Sequence, residues 1–166
     1  RPASISPKMS ASVLNGTLLV GANAPSGSAG ALGTATSTVV VGDSSGSNNA
    51  ALLISGAFTV ARNVSVTSGN SGTMSVGGSN TTGTAVFSGT LTLNKAATLS
   101  GAAGGTVNFT GAITANGNAV TIVATATGDL SAANSSNNFA TVTITSGHSV
   151  TLVDAKSFVA VGEGGT

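Results

Sequence analysis

The sequence predicts an all-β chain wound as a parallel β-helix. Three observations carry that prediction. An apolar-x-Gly-x-apolar-x-apolar phrase occurs four times along the chain. Apolar and hydroxyl residues alternate with the period of two expected of strands, and helical periodicity is hard to find. Clusters of Gly, Ser and Asn punctuate the alternating runs, as they do between short strands.

Taken in order, the first phrase is LNGTLLV (14–20), in which Leu14, Gly16, Leu18 and Val20 share one parity. ISGAFTV (54–60) follows with Ile54, Gly56, Phe58 and Val60. VFSGTLTL (86–93) sets Phe87, Gly89, Leu91 and Leu93 against Ser88, Thr90 and Thr92. FTGAITA (109–115) repeats it with Phe109, Gly111, Ile113 and Ala115. In each phrase the Gly lies on the apolar parity, so a continuous strand would aim it into the core. A bend at that point, where a side chain would not fit, is the better reading. Each phrase is then strand, corner, strand. VTIV (120–123), ATVTIT (140–145) and SVTLV (149–153) add further strands; Val142 and Ile144 share one face, and Thr141, Thr143 and Thr145 the other. Turn clusters separate them at 42–49, 67–72, 77–83, 101–105, 116–118 and 132–138.

Gly16, Gly56, Gly89 and Gly111 are spaced by 40, 33 and 22 residues, the range of solenoid repeats. With coils of roughly 20–25 residues, a domain over 11–162 would hold about seven. Residues 1–10 read as an N-terminal arm or linker and 163–166 as a C-terminal loop. Phe87, Leu91, Leu93, Phe109 and Ile113, with Ile54, Phe58 and Val60, are expected inside; Thr90, Thr92 and Thr114 are expected outside. An antiparallel β-sandwich, which also spaces strands by about 8–12 residues, is the alternative.

Composition excludes several functions. Charged residues make up 5% of the chain, against a usual share of roughly 25%. The net charge is +1, and Arg1, Lys8, Arg62, Lys95 and Lys156 are scattered. Nucleic-acid binding needs clustered cations, and base stacking needs aromatics; neither is present. Without cysteine there are no disulfides or thiolate metal sites. No run approaches the roughly 20 apolar residues that span a bilayer. The opening RPASISPKMS has no apolar signal core and no initiating Met, so the chain reads as a processed or excised piece.

SVLNGTLLVGANAPSGSAGALGTATSTVVVGD (12–43) resembles the autotransporter-associated β-strand repeat. Gly16-Thr17-Leu18, Ala31-Leu32-Gly33 and Val39 to Val41 carry the resemblance. GDLSAANSSNNFATVTITSGHSVTLVDAKSFVAVG (128–162) is similar to coils of filamentous-haemagglutinin-like adhesins, through Asn138-Phe139, the Val-Thr-Ile strand and VTLVDA. The resemblance implies a secreted, right-handed bacterial β-helix at the cell surface, and it brings no catalytic residues.

The reactive side chains are few. Asp43, Asp129, Asp154 and Glu163 are the only carboxylates. A β-helix hydrolase or lyase needs them clustered in a groove, whereas Asp43 and Asp129 sit in turn-like contexts. His148 is the lone histidine and reads as an exposed loop residue. No calcium-binding nonapeptide occurs. Thr-x-Thr pairs at 34–36, 90–92, 125–127 and 141–145 could stack into the flat arrays of ice-binding solenoids, but the unequal glycine spacing argues against one plane in register. Sequons at Asn15, Asn63, Asn80, Asn108 and Asn134 are about as many as the composition alone yields.

The expectation is a structural, non-enzymatic solenoid segment of a secreted bacterial adhesin, stalk or fibre. It has no catalytic, cofactor-binding or metal residues and no cofactor. Its partner is a second copy in a self-assembling fibre or the continuation of a longer chain, and host or surface glycans are what such a surface would meet. A carbohydrate- or ice-binding surface and a strand-exchanging β-sandwich pilin are the alternatives.

Overall fold

Runs of three to six residues that alternate apolar with Thr or Ser bury one side of a strand and leave the other outside. Repeated at short intervals, they form a spiral of parallel strands in the computed structural model. The structure describes residues 10–124, 127–146, 148–156 and 159–162. The first coil holds β1 (Ser12–Val13) and β2 (Gly16–Val20) and closes through Ala24, which bridges to Val60. The second holds β3 (Val39–Val41), β4 (Ala50–Ile54) and β5 (Thr59–Val60), and the third β6 (Val64–Val66), β7 (Met74–Gly78) and β8 (Thr84–Phe87). The fourth holds β9 (Leu91–Leu93), β10 (Ala97–Ser100) and β11 (Thr106–Phe109), and the fifth β12 (Ile113–Thr114), β13 (Ala119–Val123) and β14 (Asp129–Ala132). β15 (Thr141–Ser146), β16 (Ser149–Leu152) and β17 (Val159–Gly162) follow.

These strands stack into three faces. Face A runs β1-β3-β6-β9-β12, face B runs β2-β4-β7-β10-β13-β15-β17, and face C runs β5-β8-β11-β14-β16. Every pairing is parallel. The fold is thus an all-β solenoid and not a sandwich. Among the described residues faces A and C have five strands each, which gives about five turns, and face B has seven. Residues 1–9 of the expected arm and the loop at 163–166 lie outside the described residues.

The core is a set of stacked rows between the faces. Leu52, Val76, Leu99 and Ile122 form one row of face B, and Val39, Val64, Leu91 and Ile113 one row of face A. On face C, Val60, Phe87 and Phe109 are in register. The two rings stack with centroids 5.0 Å apart and planes 10° from parallel. Like residues lie on like because adjacent strands are only about 4.7–4.9 Å apart.

Ile54, Val60, Phe87, Leu91, Leu93, Phe109 and Ile113 are buried as expected. Phe58 is only half-buried: it lies ahead of the short β5, and its ring occupies the space left by the absent Gly56 side chain. Thr90 is exposed, but Thr92 and Thr114 are half-buried, because coils above and below flank each outer side chain. Leu14 stays exposed, since it stands in the corner between β1 and β2.

The glycine alignment joins unlike corners. Gly16 opens β2 on face B, and Gly56 turns the chain from face B to face C. Gly89 and Gly111 are true equivalents, both turning it from face C to face A. At that corner the coils approach so closely that a Cβ on Gly111 would collide with the Gly89 backbone, and one on Gly89 with the Arg62 backbone. Measured by register, Thr17, Ala51, Ser75, Thr98, Thr121 and Thr143 are spaced by 34, 24, 23, 23 and 22 residues. After one long first step the repeat is regular.

The ends differ. In the first coil Val13, Val20 and Ala24 are at most 5% exposed, and Leu32 from the long connection at 25–38 packs near Ala11 and Leu18 around a cavity of about 290 Å³. At the other end Ile144, Val150 and Leu152, which point inward, are only partly buried.

Circular dichroism is expected to show β-structure with almost no helix; a helical share above about a fifth would contradict this fold, since ordinary domains average roughly 30–35%. Phe109→Ala removes a buried stacked ring and is expected to cost about 3–5 kcal/mol in denaturant unfolding, while Thr92→Ser changes little. Equal effects of the two would mean that the inside and outside of these strands are misassigned.

Candidate functional site

Arg62 follows β5 at the corner from face C to face A and is 1% exposed. Its Nε donates to the Ser37 carbonyl at 2.9 Å and its Nη1 to the Leu32 carbonyl at 2.7 Å. Its Nη2 donates to the Ser37 carbonyl and, at 2.8 Å, to Ser37 Oγ. A guanidinium taken out of water needs compensation. Here fixed carbonyl dipoles supply it through charge-assisted hydrogen bonds. The result ties the 25–38 connection to the second coil. Lys95, at the corner from face A to face B, likewise donates through Nζ to the carbonyls of Asn70 and Gly72. Both cations are therefore engaged by backbone of the preceding winding.

Asparagines do the same work without charge. Asn23, Asn49 and Asn63 each accept, through Oδ1, the backbone N–H of Thr59, Thr73 and Thr90 in the next coil, at 2.8, 2.7 and 3.0 Å. Asn137 is buried and faces both ways. Its Oδ1 accepts from Ile113 N–H at 2.8 Å, and its Nδ2 donates to the carbonyls of Ala132 and Val153 at 2.8 and 2.9 Å. On the outside, Asn116 Nδ2 donates to Asn94 Oδ1 at 3.0 Å, and Asn94 Nδ2 to Ser65 Oγ at 3.2 Å. Asn80 is fully buried, with Nδ2 donating to the Gly83 carbonyl at 2.9 Å, so its sequon cannot accept a glycan in the folded chain.

The carboxylates are dispersed among local tasks. Asp43 Oδ1 accepts from Ser44 N–H at 2.7 Å, the turn role expected of it. Asp129 is different from its sequence reading: it is the first residue of β14, beside Ser149 of β16. That register brings the preceding His148 against it, with Nδ1 2.9 Å from Asp129 Oδ1. His148 is exposed, as expected, but is not alone. Asp154 Oδ1 accepts from Ala155 N–H at 2.9 Å, while its Oδ2 is buried without a hydrogen-bond partner. Glu163 lies outside the described residues. Among the described residues no three His, Cys, Asp or Glu side chains come together.

Among the described residues, two open surface cavities are lined by polar side chains. One of about 200 Å³ is lined by Thr17, Asn49, Thr73 and Ser75, and one of about 220 Å³ by Asn108, Thr110, Ser131 and Asn134. Neither presents a carboxylate or a ring other than Phe109, whose side chain is buried. On the outer side of face B, Ser75, Thr98, Thr121 and Thr143 stand in register. The unequal glycine spacing therefore does not break up the hydroxyl rows. Sequence reasoning missed the Arg62 tie. Its signal was present: a single Arg between the strand runs TV and VSV of a charge-poor chain.

No family model, curated protein or solved structure matches the chain.

Arg62→Ala is expected to destabilise the fold by about 2–3 kcal/mol, through loss of charged donors to the part-buried carbonyls of Leu32 and Ser37. Limited proteolysis is expected to cut within 25–38 first. Arg62→Lys keeps the charge but loses the planar fork and should fall between. An unchanged unfolding midpoint in Arg62→Ala would mean that other contacts hold the connection.

Proposed function

We propose that the chain is a structural β-solenoid segment of a secreted bacterial surface adhesin, stalk or extracellular fibre, and that it is not an enzyme. The observation that carries this reading is where the polar chemistry goes. Arg62, Lys95 and the corner asparagines Asn23, Asn49 and Asn63 are directed at backbone of neighbouring coils, and among the described residues no three His, Cys, Asp or Glu side chains come together. A chain organised this way serves rigidity and spacing. The resemblance of 12–43 and 128–162 to surface β-helices supports the same reading. Strand edges at the solenoid ends offer hydrogen bonds to further strands, and a second copy adding in the same sense would build a fibre.

Size-exclusion chromatography with light scattering, followed by electron microscopy, tests this. Rods or higher oligomers are expected. A concentration-independent monomer would count against self-assembly, and rapid proteolysis throughout the coils would count against a rigid scaffold.

A second reading rests on the hydroxyl row of face B. An array of Ser75, Thr98, Thr121 and Thr143 is the kind of surface an ice-binding solenoid presents. Ice grown in the presence of the protein would then be faceted; unshaped crystals would remove this reading.

A further inference from the structure

Asn116 and Gly117 are the two central residues of the four-residue connection, 115–118, from face A to face B in the fifth coil. Both adopt left-handed backbone, with φ of 51° and 80°, the pairing that Asn-Gly favours in tight turns. Asn118 N–H closes the turn onto the Ala115 carbonyl at 2.8 Å. Both turn residues are exposed, and nothing lies within 4 Å of where a Gly117 Cβ would be. Among the described residues the Gly117 N–H donates to no carbonyl. The chain has one other Asn-Gly pair, Asn15-Gly16, and it is held differently. There the glycine N–H donates to the Asn49 carbonyl at 2.8 Å, at the start of β2.

We propose that Asn116 is a site of spontaneous succinimide formation, yielding aspartate and isoaspartate, and that the fold protects Asn15 from the same reaction. The Gly117 amide nitrogen gives its proton to hydroxide or a buffer base and attacks Asn116 Cγ. The new N–Cγ bond forms, the Cγ–Nδ2 bond breaks, and ammonia leaves with a proton from solvent. Water then adds to either carbonyl of the five-membered ring and opens it. No oxidation or reduction takes place. Glycine leaves the attacking nitrogen unhindered, and an exposed turn can swing into the attack geometry without opening the core. At Asn15 the nitrogen must first give up its bond to the next coil.

The change acts on named contacts. It removes the Nδ2 donor that Asn116 offers to Asn94 and places a negative charge at the end of the Ser65-Asn94-Asn116 chain. The isoaspartyl product also lengthens the backbone by one carbon just ahead of β13. This inference does not depend on the structural role proposed above.

Incubation of the full chain at mildly alkaline pH, with peptide mapping by mass spectrometry and enzymatic methylation of isoaspartate, tests it. The Asn116 peptide is expected to show the amide-to-acid mass change and the isoaspartyl signal at least about fivefold sooner than the Asn15 peptide. In denaturant the two rates should converge, and Asn116→Gln should remove the early signal. Equal native rates, faster conversion at Asn15, or an Asn116 that reacts only in denaturant would each overturn the proposal.

Discussion

No strand in this molecule can satisfy its own backbone. The N–H and C=O groups within a face are met by the coils above and below, except along the first and last strands, so the register between coils is the constraint on which everything else depends. It dictates that equivalent residues stack at the inter-strand distance, and buried backbone polar groups without partners are too costly to leave. Within strands the ladder is automatic. At corners it is interrupted, and there the chain places Asn23, Asn49, Asn63 and Asn137, whose amides continue the hydrogen bonding between coils. The abundance of Asn, Ser and Gly is therefore a consequence of having many corners, and not a sign of disorder.

The same stacking limits the interior. The interior holds rows of Val, Leu and Ile, and one pair of phenylalanines in register that lie flat on each other. Where two coils turn from face C to face A, even a methyl group would collide with the backbone next to it, and Gly89 and Gly111 follow from that. Charged residues have almost no place in such a structure unless backbone carbonyls are arranged around them, as they are around Arg62 and Lys95.

How far the sequence could be read follows from the range of each constraint. Inside-outside alternation is a property of neighbouring residues, so Leu91, Leu93, Phe109 and Ile113 were legible at once. Which corner a glycine serves depends on the coil beside it, so Gly56 and Gly89 could be aligned although they turn different corners. The His148–Asp129 contact was hidden for the same reason: it joins successive windings on face C and has no local pattern. Arg62 was visible as an oddity, but its partners lie 25 and 30 residues upstream in an irregular connection. Phe58 misled because its parity was right while its strand was too short to carry it inside.

The Arg62 tie also couples an irregular segment to the regular coils. In a stack each coil touches only its neighbours, so stability is close to a sum of coil and interface terms. The 25–38 connection is bolted to the second coil through a buried guanidinium, whereas Ile144, Val150 and Leu152 are packed against the core only in part. Opening the 25–38 connection therefore requires the guanidinium to give up its carbonyls, so that loosening this segment is coupled to the corner that leaves the second coil.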